Sequence, residues 1–583
     1  MAMRTTRRLT GWILGVGAFA VATSAYGGDA AKLVGPDAFF FAESARPDSL
    51  LDRISGDRES RLLKAIPSYA KFFEKPEIQH VRMVVELVTS QLGTTWDKAV
   101  RDLSGGGIVV AGEGTTKVDR TFLIVTPKDP AFLDKAHAKL LELARNDAKG
   151  KGNPDPVNES EHRGIKVFKV SPTEAHAIVR GMLVISNGDD AVKTVIDRAL
   201  DAKSPTILDD PQFASQRKNA DPEALAWSFA RTDRLRAIDP ARYASKPDAG
   251  ATFLFGPWIE AAQKGEWAAA SLTWTEKRLS ANVTIATPKD GYSSAMKRYL
   301  PGKEGAANVP ISVPNLVASG SLWRDFSAIW DVRAEIFPPE TVQGLAQLDT
   351  QAGTFFGGRD FGTGVLGALG SHWNIIVAEQ DFDAIKPSPD VKLPAFALIL
   401  ELKPDDDEFA TRLKSAFQSF IGLVNLGAAQ TKAQPLMLGS ETIDGLTIAT
   451  SKYLPEKNPP KGQPVNTRYN FAPSAVQVGN FFVISSNLGL AKDLVKSLKE
   501  PLKNADATLL ASASGPAVAG LLERNKSRLV MQNMLEKGNA KEQAEAEIGL
   551  LLELVKYLGQ GRLSATDTAD SATLKLDFEL IAK

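Results

Sequence analysis

Apolar and polar positions follow two rhythms along this chain, and the order in which the rhythms change comes round twice. Residues 94–114, TTWDKAVRDLSGGGIVVAGEG, space apolar side chains by three and four and then run into a continuous apolar stretch, which predicts an amphipathic helix feeding a strand. Residues 121–144, TFLIVTPKDPAFLDKAHAKLLELA, read as a strand, a polar turn and a long helix. RGIKVFKV (163–170) reads as a strand. LVISNGDDAVKTVIDRAL (183–200) reads as a strand, a tight turn and a helix.

From Val313 the same order returns. The opening strand GPDAFFFAES (35–44) has its partner in VPNLVASGS (313–321), and the helix-to-strand passage in FGTGVLGALGSHWNIIVAEQ (361–380). The long-helix unit returns as FALILELKPDDDEFATRLKSAFQSFIGLV (396–424), the next strand as DGLTIATSKY (444–453), and the strand-turn-helix as FVISSNLGLAKDLVKSL (482–498). WAAASLTWTEKRLSANVTIA (267–286) and KYLGQGRLSATDTADSATLKLDFELI (556–581) close the two copies and share RLSA. Segments that break the correspondence, 382–394 and 454–470, are rich in Pro, Lys and Asn, as loops are.

Each copy reads as strand, helices, two strands, helix, three strands, helix, then a further helix-and-strand section. Short turns such as EGTTKVDR (113–120) join neighbouring strands, which predicts antiparallel pairing. The expected fold class is α+β: two tandem homologous repeats, each a mainly antiparallel sheet covered by helices. The expected division is a signal peptide at 1–27, repeat 1 at 28–300, a linker at 301–312 and repeat 2 at 313–583. Residues 525–558 should form the longest helical section, broken near Gly538.

Composition narrows the function. Sixty-nine basic residues balance sixty-nine acidic ones, which gives no global electrostatic case for nucleic acid. Arg4, Arg7 and Arg8 precede the apolar run GWILGVGAFAVATSA, and small residues follow, so a Sec-type signal peptide with cleavage after Ala25 or Gly27 is expected. Thr10 stands where a twin-arginine signal wants a large apolar residue. A periplasmic or secreted protein with no transmembrane anchor after cleavage follows. The chain has no cysteine, which excludes a lipoprotein anchor, disulfides, thiolate metal sites and cysteine nucleophiles.

No motif assigns a chemistry. Asn187, Asp189 and Asp190 offer oxygens to a hard cation, but the second copy has SSNLG there. Asn187-Gly188 is therefore expected to make the turn, and the two aspartates to cap the next helix. Asp405, Asp406, Asp407 and Glu408 precede a helix whose dipole favours them. GTGVLG (362–367) has the form of a dinucleotide fingerprint but neither the preceding strand nor a glycine counterpart in the first copy. His80, His137, His162, His176 and His372 form no close ligand pair; His137 and His176 are expected on surface or helix-face positions. Of Trp267 and Trp274, seven apart, one is expected in the core and the other exposed. Trp227, Trp258, Trp323, Trp330 and Trp373 crowd the same middle region and are expected mainly in cores.

PDAFFFAES, VPNLVASGSLW, WDKAVRDLSGGGIVVA, DFGTGVLGALGSHWNIIVA and LVISNGDDAVKTVIDRAL with SPTILDDPQFAS (204–215) resemble the bacterial domain-of-unknown-function 3352 family. The resemblance covers most of both copies, except that the second has NADATLLAS (504–512) in place of the DDPQF run. It implies an exported or envelope-associated protein and no substrate, cofactor or catalytic residue. The expected function is an exported non-catalytic binding or scaffolding protein with an unknown protein or small-molecule partner. The alternative is a periplasmic carrier of an apolar ligand held in or between the repeats, and the third reading is a hydrolase with dispersed carboxylates. No catalytic, cofactor-binding or metal residue is assigned.

Overall fold

The computed structural model describes residues 28–581 apart from 45, 65, 67–68, 70, 72–73, 172, 244–247, 302–304, 405, 432 and 457–463. The expected signal peptide and its cleavage site, Asp405, part of the expected linker and part of the 454–470 loop lie outside the described residues, as do the side chains of His80 and Asp407. The chain divides into two compact units, Met1–Ala244 with Ala262–Lys289, and Ser245–Ala261 with Asp290–Lys583.

The first unit is built on β1 (Ala38–Ser44), β2 (Gly107–Glu113), β3 (Arg120–Thr126), β4 (Asn158–His162), β5 (Ile165–Ser171), β6 (Glu174–Val179), β7 (Met182–Ser186), β8 (Ala224–Ala230), β9 (Ala268–Trp274) and β10 (Arg278–Ala286). They pair in the order β4-β5-β6-β7-β3-β2-β1-β8-β9-β10, antiparallel throughout. Helices α1 (Trp96–Ser104), α2 (Pro130–Gly150), α3 (Asp189–Leu200) and α4 (Pro211–Lys218) join these strands. Four strands, not three, lie between α2 and α3. The extra one, β4, is NESEH, whose first four residues are exposed, so no apolar alternation announces it.

Helix α3 shows why the pattern folds this way. Val192, Val195, Ile196 and Ala199 fall on one face at helical spacing and are buried against Ala175, Ala177, Val179 and Val184 of β6 and β7. Each of its larger side chains contributes roughly 1.5–3 kcal/mol by leaving water. Elsewhere in the same core Trp227, Phe41, Phe213, Phe229 and Trp267 meet in edge and stacked contacts with centroids 5.1–6.3 Å apart. The DDPQF run serves this cluster: Asp210 caps α4 through Gln212 N and Phe213 N, and Phe213 is fully buried.

The second unit carries β11 (Leu316–Trp323), β12 (Leu369–Ala378), β13 (Ala395–Leu402), β14 (Leu436–Ile443), β15 (Leu446–Tyr453), β16 (Ser474–Val478), β17 (Phe481–Ser485), β18 (Leu509–Ser514), β19 (Gln560–Asp567) and β20 (Ser571–Glu579). Their order is β14-β15-β16-β17-β13-β12-β11-β18-β19-β20, again antiparallel at every step. Taken in chain order, each strand has the place of its counterpart in the first unit. The helices used below are α5 (Ala249–Lys264, in this unit as far as Ala261), α6 (Phe326–Asp331), α7 (Arg333–Ile336), α8 (Pro339–Phe355), α9 (Asp407–Gln430) and α10 (Leu488–Ser497). They are followed by α11 (Gly515–Arg524), α12 (Lys526–Lys537) and α13 (Lys541–Tyr557). The helical section 525–558 breaks at Gly538, whose φ of 70° is left-handed and closes α12.

Two local expectations need correction. Residues 361–368, read as an amphipathic helix, form a five-residue π turn (Phe361–Val365) and a 3-10 turn (Leu366–Ala368) before β12. A Cβ on Gly362 would lie 2.3 Å from the Trp330 indole, so the glycine is there to seat that ring. In the NGDD turn, Gly188 occupies the N-cap and no side chain caps α3. Asn187 instead bonds Thr121 N and Asp119 O, 3.0 and 2.8 Å away, while Asp189 and Asp190 sit in the first turn, near the helix dipole's positive end. In the second copy Asn487 does cap its helix, accepting from Gly489 N at 2.7 Å.

Candidate functional site: an apolar chamber in the second unit

Helix α5 contains Pro257, which has no N–H to donate to Phe253 and whose ring crowds that carbonyl. The helix is kinked at Phe255 (φ −126°, ψ 24°). A buried guanidinium occupies the kink: Arg324 donates to the Leu254 carbonyl at 2.7 Å and to its neighbour's, Trp323, at 2.9 Å. Asp567, also buried, lies 3.6 Å from it and accepts from Thr508 Oγ1 at 2.9 Å. Burial lowers the pKa of Arg324 and raises that of Asp567, and each partly offsets the shift of the other. The Tyr299 ring lies 5.6 Å from the guanidinium, and burial raises its hydroxyl's pKa. A Cβ on Gly256 would approach Tyr299 to 3.0 Å, so glycine permits this close seating of the kink.

The first half of α5, held in this way, covers two adjoining cavities of about 390 and 350 Å³. Both are bounded by Phe253, Phe326 and Trp373. Phe253 stacks on Phe326 with centroids 4.4 Å apart, and Trp373 of β12 meets Phe326 edge-on at 4.3 Å. The larger cavity continues along Trp330, Phe337, Leu345 and Phe361, between α6, α8 and the π turn. The smaller one lies on the sheet against Leu322, Leu510 and Leu563 of β11, β18 and β19. In the first unit the corresponding strands β1, β8 and β9 contribute to a cavity of about 220 Å³.

Few polar atoms face the chamber. Arg333 stands at the larger cavity, with its guanidinium 4.5 Å from the Trp330 ring centroid and one Nη donating to Trp330 O at 2.6 Å. The Trp373 indole N–H is buried without a partner. Trp330 is buried and Trp373 half-buried, and both turn toward this chamber; residue order alone had placed such tryptophans in a filled core.

The other candidates are engaged elsewhere. Asp189 pairs with Lys193 and Lys169 at 3.1 and 3.3 Å. Asp406 pairs with Arg359, which holds its carboxyl below the usual range, and Glu408 lies 3.1 Å from Arg412. GTGVLG borders the chamber through Leu366. Trp267 and Trp274 go to two different apolar clusters, and Trp274 is partly buried against Leu225 and Ala226. Among the described residues the exposed tryptophan is Trp96.

The histidines hold a surprise for the sequence reading. His137 and His176 are half-buried and face each other with their Nε2 atoms 2.9 Å apart, beside Phe168. Burial pushes both pKa values down, His176 to about 4, with the charge of His137 adding to the effect. Only the strand-helix topology brings them together, 39 residues apart in sequence. His372 does the opposite: its ring bonds Glu401 at 2.7 Å and Ala306 O at 2.9 Å, which raises its pKa. His162 bonds Asp197 at 2.8 Å.

Two buried carboxylates of the first unit are paired with guanidinium groups, while Glu260 on α5 accepts from Ser293 N at 3.0 Å and Ser293 Oγ at 2.7 Å. Glu43 takes two bonds from Arg217, at 2.6 and 3.0 Å; Glu113 lies 2.9 Å from Arg198. Among the described residues no helix is long and apolar enough to cross a membrane.

No family model and no curated protein matches the chain. Among solved structures it is similar to TP0453: crystal form I gives a TM-score of 0.25 at 12% identity, over 46% of this chain and 82% of that one. Crystal form III gives 0.24 at 11% identity, over 46% and 83%.

Proposed function

We propose that the protein is an exported carrier of an apolar ligand, held within the second unit. The observation that carries this reading is the chamber itself. Its volume lies in the range of small-molecule sites, its lining is aromatic and aliphatic, and very few polar groups converge on it. Both spaces are partly open to the surface, so an apolar ligand has a way in as well as a lining to meet. A partner-binding scaffold would use its tryptophans on the surface, whereas Trp330 and Trp373 line the chamber. The hydrolase reading finds less support, because Glu43, Glu113 and Asp567 each face an arginine.

The proposal includes a history and a location. The common strand order of the two units supports tandem duplication of one domain, with the chamber enlarged in the second copy. Residues 1–27 support a periplasmic or secreted location, and the residues quoted above support kinship with the domain-of-unknown-function 3352 family. Native mass spectrometry on protein purified without detergent tests the carrier: retained mass of a few hundred daltons that organic solvent removes is expected, and a bare chain that takes up no added hydrocarbon would overturn it.

A further inference from the structure

The chamber is not uniformly apolar, and its exceptions share one chemistry. The Arg333 side chain carries five N–H donors and no acceptor, and the one given to Trp330 O is the only hydrogen bond that side chain makes among the described residues. No carboxylate lies within 4 Å of it among those residues, although other arginines of this unit, Arg298, Arg324, Arg359 and Arg412, each have an acidic partner. The Trp373 indole N–H, between the two cavities, is likewise a donor only, buried and unanswered. A buried donor without an acceptor is a standing cost, and the Arg333 guanidinium, half-buried at the edge of the larger cavity, has no counter-charge among the described residues. The unmatched cation is answered by a ligand that brings acceptors and negative charge on an apolar body.

We infer that the cargo is an amphipathic monoanion: a hydrocarbon body in the chamber between Phe253, Phe326 and Trp373, and an anionic head on the Arg333 guanidinium. The inference rests on the carrier reading and adds the chemical class of the cargo. Guanidinium recognises carboxylate and phosphate alike through paired N–H bonds, so either head satisfies the geometry. The cation–π contact with Trp330 holds the guanidinium beside the cavity, so its charge is in place before the ligand arrives.

The test measures binding of hexadecanoate, methyl hexadecanoate and hexadecyl phosphate to the full chain by displacement of an apolar fluorophore, all below their micelle concentrations. At least one anion is expected to bind tenfold or more tightly than the ester, and the tighter anion names the head. Arg333→Gln should bring the anions to the ester's affinity and leave the ester unchanged, while Arg333→Lys should keep part of the preference. Equal binding of anions and ester by the unaltered protein, or a preference that survives Arg333→Gln, overturns the inference and leaves the carrier standing. Failure of all three probes to bind overturns the carrier reading itself, and this one with it.

Discussion

Replacing Glu113 by glutamine should cost the first unit more stability than any other single-atom-scale change in it. The side chain is fully buried; it accepts from Gly35 N at 2.5 Å and from Arg198 at 2.9 Å, and Arg120 lies 3.4 Å away. Glutamine fills the same space but removes the charge. Arg198, whose side chain is only 10% exposed, then loses its counter-charge and keeps only neutral acceptors, the Leu33 carbonyl at 2.6 Å and the glutamine's one carbonyl oxygen. Breaking a buried pair in this way costs about 3–5 kcal/mol, a large part of the 5–15 kcal/mol that typically separates a folded domain from its unfolded chain. A unit of this size loses roughly 2–4 °C of melting temperature per kcal/mol, so a fall of about 10 °C is expected. Urea unfolding followed by circular dichroism measures it. Adding Arg198→Met to Glu113→Gln should recover part of the loss, since the stranded cation is gone. A loss below about 1 kcal/mol, with nothing recovered in the double variant, would refute the reasoning by showing that water reaches the pair.

Three further outcomes are expected. His137 and His176 are held neutral in the fold, so the unfolded chain takes up protons that the folded one refuses. Stability should therefore fall as pH drops from about 6.5 toward the folded value of about 4 for His176. His176→Phe should flatten that slope, and an unchanged slope in pH-dependent urea titrations would contradict the burial. Gly362→Ala should destabilise the second unit by about 1–3 kcal/mol through collision with Trp330, and a neutral result in thermal melts would mean the turn yields freely. Ala511→Phe fills the smaller cavity from β18 and should weaken uptake of an apolar fluorophore severalfold without lowering the melting temperature; unaltered uptake would move the ligand elsewhere.

Much of the architecture was legible because its signals are local. The helical spacing of Val192, Val195, Ile196 and Ala199, the short turns between apolar runs and the left-handed Gly538 each declare themselves within a few residues. Strand β4 escaped because four of its five residues are exposed and polar, leaving no alternation to read. The glycines of residues 362–367 misled for another reason: Gly362 makes room for an indole 32 residues earlier, which no local pattern encodes. The candidate site was almost wholly illegible. Phe253, Phe326 with Trp330, and Trp373 lie on three elements, α5, α6 and β12, and ordinary core residues have the same composition. Whether aromatics fill a space or enclose one is settled by packing. The nearest trace in sequence was the crowding of tryptophans in the middle of the chain. The His137–His176 contact was hidden likewise, since it needs β6 and α2 side by side.

The most direct test of the carrier is a crystal structure of the protein grown with an excess of a bromine-tagged sixteen-carbon carboxylate. Anomalous density from the bromine inside the second unit, against Phe253, Phe326 and Trp373, is the result this account requires. A chamber empty of the ligand or filled by ordered water, with bromine only on the surface, would contradict it.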